Sequence, residues 1–367
     1  MKKILKESKL ELWRRHCKNI IEKHPLLCLS WEATMRCNLS CEHCGSRCGP
    51  DVKKEDELST EEIKAALKTV AEDFDTKKIF LAVTGGEPLL REDVFDVMSD
   101  ASKMGFIWGM VTNGTLITED IASKMKNSGM KTVSVSIDGA EKSHNKMRGG
   151  GDIFERATKG IKILTDSNCF EEVEIITCVS KKNIQELEDI YKMCLDLRVH
   201  SWRIFTIAPI GRAKESKDFF LSPKEYVYVL DYIKNKKKDR KNKLPVNFCD
   251  EGFLGLDYEG EARDPLFFCW AGITTASILY NGDVAGCAII PRKHTIQGNI
   301  RKERFSDIWN NKYEMFRDRG WKKKGDCKEC YYWDYCEGES MHLWDFEKKE
   351  LKVCNYKKIE MAQKENN

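Results

Sequence analysis

The sequence predicts an α/β fold in which six βα units build a parallel sheet and a smaller cysteine-rich domain follows. Three observations predict it. Apolar β-rich runs alternate with amphipathic stretches from about residue 29 to residue 243. Helix-start signals fall between those runs. Beyond a lysine-rich stretch at 234–243, a solvated helix end and linker, helical periodicity fades and cysteines and aromatics gather. At about 150 residues per domain, 367 residues suit two domains.

Residues 1–28 read as an amphipathic helical segment packed on the first domain, with Ile4, Leu5, Leu10, Leu12, Trp13, Ile20 and Ile21 as its apolar stripe. Strands are expected at 29–34, 78–84, 106–112, 132–138, 173–179 and 202–208. Ser59-Thr60-Glu61-Glu62 forms a capping box, and Ser222-Pro223-Lys224-Glu225 supplies N-cap, N1 proline and N3 carboxylate. Thr118 and Asn183 are expected to cap two further helices. Six units form either an open doubly wound sheet or a barrel two units short of eight, and periodicity does not choose. The second domain spans 244–360, and 361–367 is a polar tail.

The run 265–282 holds 18 uncharged residues, the length at which a spanning helix becomes a candidate. Thr274, Thr275, Ser277 and Asn281 interrupt it, and Asn281-Gly282 suits a two-residue type I′ turn. A buried hairpin is expected there, with no membrane span.

The charge balance, 62 Lys+Arg against 59 Asp+Glu, leaves a net +3 and no global basic field for nucleic acid. With 41% hydrophobic and 33% charged residues the chain reads as a soluble globular protein. Lys6, Glu7, Lys9 and Glu11 interrupt any export signal, so a cytoplasmic location with reduced thiols is expected. There the 16 cysteines divide between metal or redox sites, where they cluster, and small buried packing residues, where they stand alone. Cys17, Cys28, Cys169, Cys178 and Cys194 read as packing residues.

In either sheet topology chemistry sits at the C-terminal ends of the strands. Cys37, Cys41 and Cys44 follow the first strand, with Cys48 close behind. Gly85-Gly86-Glu87-Pro88 follows the second, Thr112-Asn113-Gly114 the third and Asp138-Gly139 the fourth. Singly these glycines and asparagines are turn residues; together they mark one rim. Three thiolates from one short loop can hold three irons of a [4Fe–4S] cube and leave the fourth open. A zinc site with His43 or Cys48 as fourth ligand is the alternative, which the C-x3-C-x2-C spacing fits poorly.

Together, C-x3-C-x2-C after the first strand and the Gly-Gly-Glu-Pro segment after the second resemble the radical S-adenosylmethionine (SAM) superfamily. The resemblance implies a partial (β/α)6 TIM-like barrel, with Cys37, Cys41 and Cys44 holding a [4Fe–4S] cluster. It also implies SAM as cofactor, cleaved reductively to methionine and a 5′-deoxyadenosyl radical that abstracts hydrogen from substrate. Gly85, Gly86, Glu87 and Pro88 would contact the SAM amino group, His43 would lie near the adenine, Ser136 near the ribose or methionyl part, and Arg148 at the carboxylate.

Downstream, Cys269-x12-Gly282-x4-Cys287, then Cys327-x2-Cys330-x5-Cys336, then Cys354 resembles the SPASM domain of peptide-modifying radical enzymes, a small cysteine-rich α+β unit with up to two auxiliary [4Fe–4S] clusters. Cys327, Cys330, Cys336 and Cys354 would complete one of them; taken alone, this stretch also reads as a zinc ribbon. Ser340 stands where the family has a cysteine, which leaves the other cluster short beside Cys269 and Cys287. Three outcomes follow for that site: Cys249 is a third ligand and one iron stays free for a substrate thiolate, Ser340 or Glu339 supplies an oxygen ligand, or the cluster is absent.

The resemblance implies a peptide or protein maturase that oxidises or crosslinks a side chain, with an external electron donor such as flavodoxin or ferredoxin. An enzyme acting on a small-molecule cofactor precursor is the second reading, and a zinc-stapled binding protein is the rival from another class. Ala288 after Cys287 argues against the sulfatase-maturing branch, whose aspartate at that place can act as a base. Glu337, Glu339 and His342 are the candidate bases here. With 36 residues before Cys37, a leader-recognition domain is not expected ahead of the barrel.

Overall fold

The computed structural model describes residues 2–249 and 252–365. Helix α1 (Lys2–Lys23) leads into β1 (Cys28–Glu32), and α2 (Thr60–Asp73) returns the chain to β2 (Phe80–Thr84). Next come α3 (Val94–Lys103), β3 (Ile107–Thr112), α4 (Glu119–Asn127), β4 (Thr132–Ser136), α5 (Glu141–Arg148), α6 (Ile153–Ser167) and β5 (Glu172–Val179). Then α7 (Leu187–Asp196), β6 (Ser201–Thr206) and α8 (Pro223–Lys238) complete the six units expected from the alternation. Both capping boxes form, at Ser59 and Ser222, and Thr118 Oγ1 accepts from Ile121 N. Asn183 does not cap. Its side chain ties the exits of β4 and β5 together, donating to Asp138 O and Cys178 O.

Strands β1 to β6 pair in parallel and in chain order. Two additions extend this chain-order sheet, which lacks the strand-order reversal of a doubly wound fold, to ten strands. At one edge β7 (Val246–Phe248) pairs in parallel with β6, so the boundary expected at 243 falls one strand before the sheet ends. At the other, β8 (Thr275–Ile278) pairs in parallel with β1, and β9 (Asp283–Ala285) and β10 (Ile296–Asn299) follow antiparallel. The hairpin is therefore present, but its turn differs from expectation. Gly282 N donates to Leu279 O and, of Asn281 and Gly282, only the glycine has positive φ. That is a longer loop ending in a left-handed glycine, not a two-residue type I′ turn.

The strands alternate in burial. On β5, Val173, Ile175, Thr177 and Val179 are buried, while Glu172, Glu174, Ile176 and Cys178 lie half-buried on the inner face. The same phasing buries Leu29, Trp31, Leu81, Val83, Met110, Val133, Trp202 and Ile204 in the core.

The C-terminal part adds α9 (Phe305–Asn311), α10 (Glu314–Arg317), α11 (Trp333–Cys336), β11 (Trp344–Asp345), β12 (Glu350–Leu351) and α12 (Asn355–Lys364). Helix α12 packs on α8 and buries Ile359 and Ala362, so 361–364 belongs to a helix and not to a polar tail. Helix α1 also departs from expectation. Trp13 Nε1 donates to Phe267 O, Lys6 Nζ to Leu256 O, and Trp13 meets Trp270 edge to face, so α1 seats on the C-terminal part rather than on the βα units. None of its helices is long and apolar enough to cross a membrane, among the described residues.

Candidate functional site

The cysteine loop after β1 is held by hydrogen bonds from three sides. Gly86 N donates to Thr34 O (2.7 Å) and Glu87 N to Arg36 O (2.9 Å), which lays the exit of β2 along the residues just before Cys37. A Cβ on Gly86 would fall 2.7 Å from the Arg36 carbonyl carbon and nearer still to its oxygen, so only glycine fits. Gly85, at φ +141°, crowds Thr34 in the same way. From the exit of β6, Arg212 Nε donates to Cys41 O and Nη2 to Cys48 O, both at 2.8 Å, while its N–H reaches Cys44 O at 3.0 Å. Gly211, at φ +56°, would place a Cβ 2.5 Å from the Gly45 carbonyl carbon. From the exit of β3, Asn113 donates to Asn38 Oδ1 at 2.8 Å.

Glu87 does not face an open site. Its carboxylate is fully buried and accepts from Thr112 Oγ1 and Asn113 N (both 2.8 Å) and Leu89 N (3.2 Å), locking the exit of β2 to that of β3. Burial pushes its pKa up to about 6 against those hydrogen bonds. A carboxyl raised in the folded state holds its proton more tightly there, so its contribution to stability is complete below pH 4.5 and lost as pH rises through 6. Urea unfolding is expected to show the wild type losing about 2 kcal/mol relative to Glu87→Gln between about pH 3.5 and about pH 7.5. Parallel pH profiles for the two proteins would contradict this.

A second network gathers at the exits of β4 and β5. Asp138 Oδ2 receives His43 Nε2 at 3.0 Å and Arg148 Nε at 2.8 Å, and its Oδ1 accepts from Cys178 N at 2.9 Å. Burial opposes ionisation, but Arg148 and His43 override it and hold the Asp138 carboxyl well below the usual carboxylate range. Arg148, expected at the SAM carboxylate, is buried and committed through Nε to Asp138. His43 Nδ1 is buried without a partner. His43, Asp138 and Cys178 each bring a donor atom within 4.8 Å of the others, so Cys178 belongs to the site and is not only a packing residue. Its inward phase on β5 is the signal that locates it. Ser136 lies half-buried at the end of β4, on the inner face.

Two cavities take in the downstream cysteines. One, of about 400 Å³, is lined by Cys327, Cys330, Cys336 and Cys354 together with Glu339. The other, of about 390 Å³, has His43, Gly45 and Cys178 on its barrel side and Cys249, Cys269, Cys287, Ser340 and His342 on the C-terminal side. Phe205, Ile207, Phe268, Trp270 and Ile289 supply its apolar walls. A third cavity, of about 260 Å³, shares Gly45, Ile210, Ile289 and Ile290 with the second and adds Arg47, Lys214, Arg292 and Lys352.

Burial pushes the thiols of Cys37, Cys287 and Cys327 up to about 11, so these thiolates call for a cation to compensate them. Clustered sulfur donors in dry surroundings fit iron–sulfur ligation. Lys322, fully buried, donates from Nζ to Glu339 O and lies close enough to Cys269 and Cys336 to feel both.

Of the three expected bases only His342 reaches the cavity facing the barrel. Glu339 lines the other cavity, its carboxylate taken by Phe253 N at 2.8 Å and Asn355 N at 3.0 Å. Glu337 faces Arg319. Burial, then Lys322 and Lys352, bring the His342 pKa down to about 4, so its imidazole is neutral.

Comparison with known proteins agrees with this geometry. Residues 31–194 match the radical SAM superfamily and residues 269–331 match an iron–sulfur cluster-binding domain, SPASM. The AdoMet-dependent heme synthase of Nitratidesulfovibrio vulgaris is 31% identical, covering 91% of this chain and 93% of that protein. The mycofactocin maturase MftC of Mycolicibacterium smegmatis is 28% identical, covering 86% and 78%. Among solved structures, anSMEcpe with bound AdoMet superposes with a TM-score of 0.72 at 20% identity, covering 93% and 96%. Streptococcus suis SuiB bound to S-adenosylmethionine gives 0.69 at 18%, covering 87% and 74%. The cysteine loop, the glycine-bound strand exits and the near full-length relatives together place this chain in the radical SAM superfamily, as a TIM-like enzyme with a C-terminal SPASM domain.

Proposed function

We propose that the chain is a radical SAM oxidoreductase that oxidises or crosslinks a side chain of a peptide or protein lying in the cavity between the barrel rim and the C-terminal domain. One observation carries this reading: a single cavity has the cysteine loop, through His43 and Gly45, on one wall and Cys249, Cys269 and Cys287 on the other. Cys37, Cys41 and Cys44 would hold one [4Fe–4S] cluster, Cys327, Cys330, Cys336 and Cys354 a second, and Cys249, Cys269 and Cys287 an incomplete third. With SAM and an external reductant such as flavodoxin or ferredoxin, the barrel cluster would supply one-electron cleavage to methionine and a 5′-deoxyadenosyl radical that takes one substrate hydrogen, and the second would leave as a proton and an electron, the electron passing to an auxiliary cluster.

The protein's part is positioning and exclusion. Arg212 and the Gly85-Gly86 segment fix the cysteine loop, and Pro88 begins the short turn that follows it. His43 keeps an unpaired ring nitrogen, Nδ1, beside the proposed adenine position. Arg148 and Ser136 stand at the exit of β4, where the methionyl part would lie. Phe205, Ile207, Phe268 and Trp270 keep water from a reactive intermediate. The third cavity forms a vestibule that lets a longer chain enter and favours acidic groups on it through Lys214 and Lys352, since Arg47 pairs with Glu215 and Arg292 with Glu32.

A peptide substrate gains support from the peptide complexes of anSMEcpe and SuiB and from the maturase relative. A small-molecule cofactor precursor is the second reading, favoured by the 31% identical AdoMet-dependent heme synthase. Anaerobic turnover with SAM and dithionite, read by mass spectrometry, separates them. The peptide reading expects a candidate peptide from a neighbouring small open reading frame to lose two hydrogens. Conversion of a small-molecule precursor of heme, with every peptide unchanged, would overturn it.

A further inference from the structure

Cys249, Cys269 and Cys287 provide three thiolates for a four-iron cube, and the inference below rests on the reading of that cavity as an auxiliary cluster site. Four side chains are near enough in sequence or space to be considered for the fourth position. Glu339 is spent on two backbone N–H groups and lies in the other cavity. Cys28 feels Cys287 but is not among the residues lining the cavity. Ser340 lines it, yet a hydroxyl must lose its proton before it binds iron strongly.

His342 meets the requirements directly. It is 8% exposed and lines the cavity with all three cysteines. Its ring nitrogens make no hydrogen bond or ion pair among the described residues and, unlike the sealed Nδ1 of His43, keep some exposure, so they are free to take a ligand in the cavity. Its direction is fixed by the short turn Met341–Leu343, in which Leu343 N donates to Ser340 O at 3.1 Å and both neighbours are buried. Neutral imidazole binds metal without shedding a proton and substitutes for thiolate in some iron–sulfur centres.

We propose that His342 is the fourth protein ligand of the cluster held by Cys249, Cys269 and Cys287. The site is then closed by three cysteines and one histidine, with no iron left free for a substrate thiolate. Exchanging a thiolate for neutral imidazole makes the cluster less negative, so its reduction potential lies above that of the four-cysteine cluster.

The test uses the full chain with Cys37, Cys41 and Cys44 replaced by alanine, so that only auxiliary clusters report. It is reconstituted anaerobically, grown with ¹⁵N-histidine, reduced and examined by pulsed electron paramagnetic resonance. A directly bound ¹⁵N coupling is expected. It should vanish in His342→Ala and survive in Ser340→Ala and Cys28→Ala. His342→Cys should keep about eight irons per chain, lose the coupling and lower the potential, and it carries the test if His342→Ala does not fold. Absence of nitrogen coupling, or coupling that survives removal of His342, would overturn the assignment. So would about four irons per chain, an outcome that leaves SAM cleavage in the intact barrel untouched and the proposed radical chemistry standing.

Discussion

Cys41→Ala is expected to lower 5′-deoxyadenosine formation from SAM by at least about 10³-fold without unfolding the protein. The loop does not depend on that thiol for its shape. Arg212 grips the carbonyls of Cys41, Cys44 and Cys48, and Glu42 N donates to Met147 O at 2.9 Å, so the backbone stays where it is when the sulfur is removed. What is lost is one of three iron ligands. Iron per chain is expected to fall by about four, with thermal unfolding near that of the parent and the auxiliary clusters still visible. Retained 5′-deoxyadenosine formation would show that the cluster is ligated elsewhere.

Gly86→Ala should be nearly as damaging, for a different reason. Its new methyl would meet the Arg36 carbonyl, which is backbone and cannot rotate away. The exits of β1 and β2 must then separate, breaking the bonds from Gly86 N to Thr34 O and from Glu87 N to Arg36 O. A destabilisation of about 3 kcal/mol is expected from overpacking of this kind. A shift of about 1 Å in the cysteine loop would weaken SAM binding or turnover by about 10²-fold. Gly49→Ala is the matched control, because nothing lies within 4 Å of its Cβ and its φ is ordinary. Calorimetric SAM titration and urea unfolding of both variants read the difference, and equal behaviour would refute the role given to Gly86.

The strands, the capping boxes and the cysteine groupings were legible because each is written locally: period-two burial on β5, Ser59 with Glu62, three thiols within eight residues. What escaped depends on partners distant in sequence. Asn183 has a cap's side chain, but Asp138 O, 45 residues away, offers its amide a better use. Arg148, which the resemblance sets at the SAM carboxylate, is turned by α5 onto Asp138, ten residues back in the chain. Cys178 reads as packing until the inner face of β5 turns it toward His43. Glu339 and His342 are three residues apart, yet they line different cavities: Glu339 sits at φ +64° with its carboxylate held by Phe253 and Asn355, and His342 follows on the turn beyond Ser340. Sequence placed the two together as candidate bases, and only backbone geometry separates them.

Anaerobic incubation of the reconstituted protein with SAM and dithionite, with products separated by liquid chromatography, tests the central claim most directly. Methionine and 5′-deoxyadenosine are expected in equal amounts, both dependent on Cys37, Cys41 and Cys44. An iron-loaded protein that yields neither, or that converts SAM to S-adenosylhomocysteine instead, would contradict it.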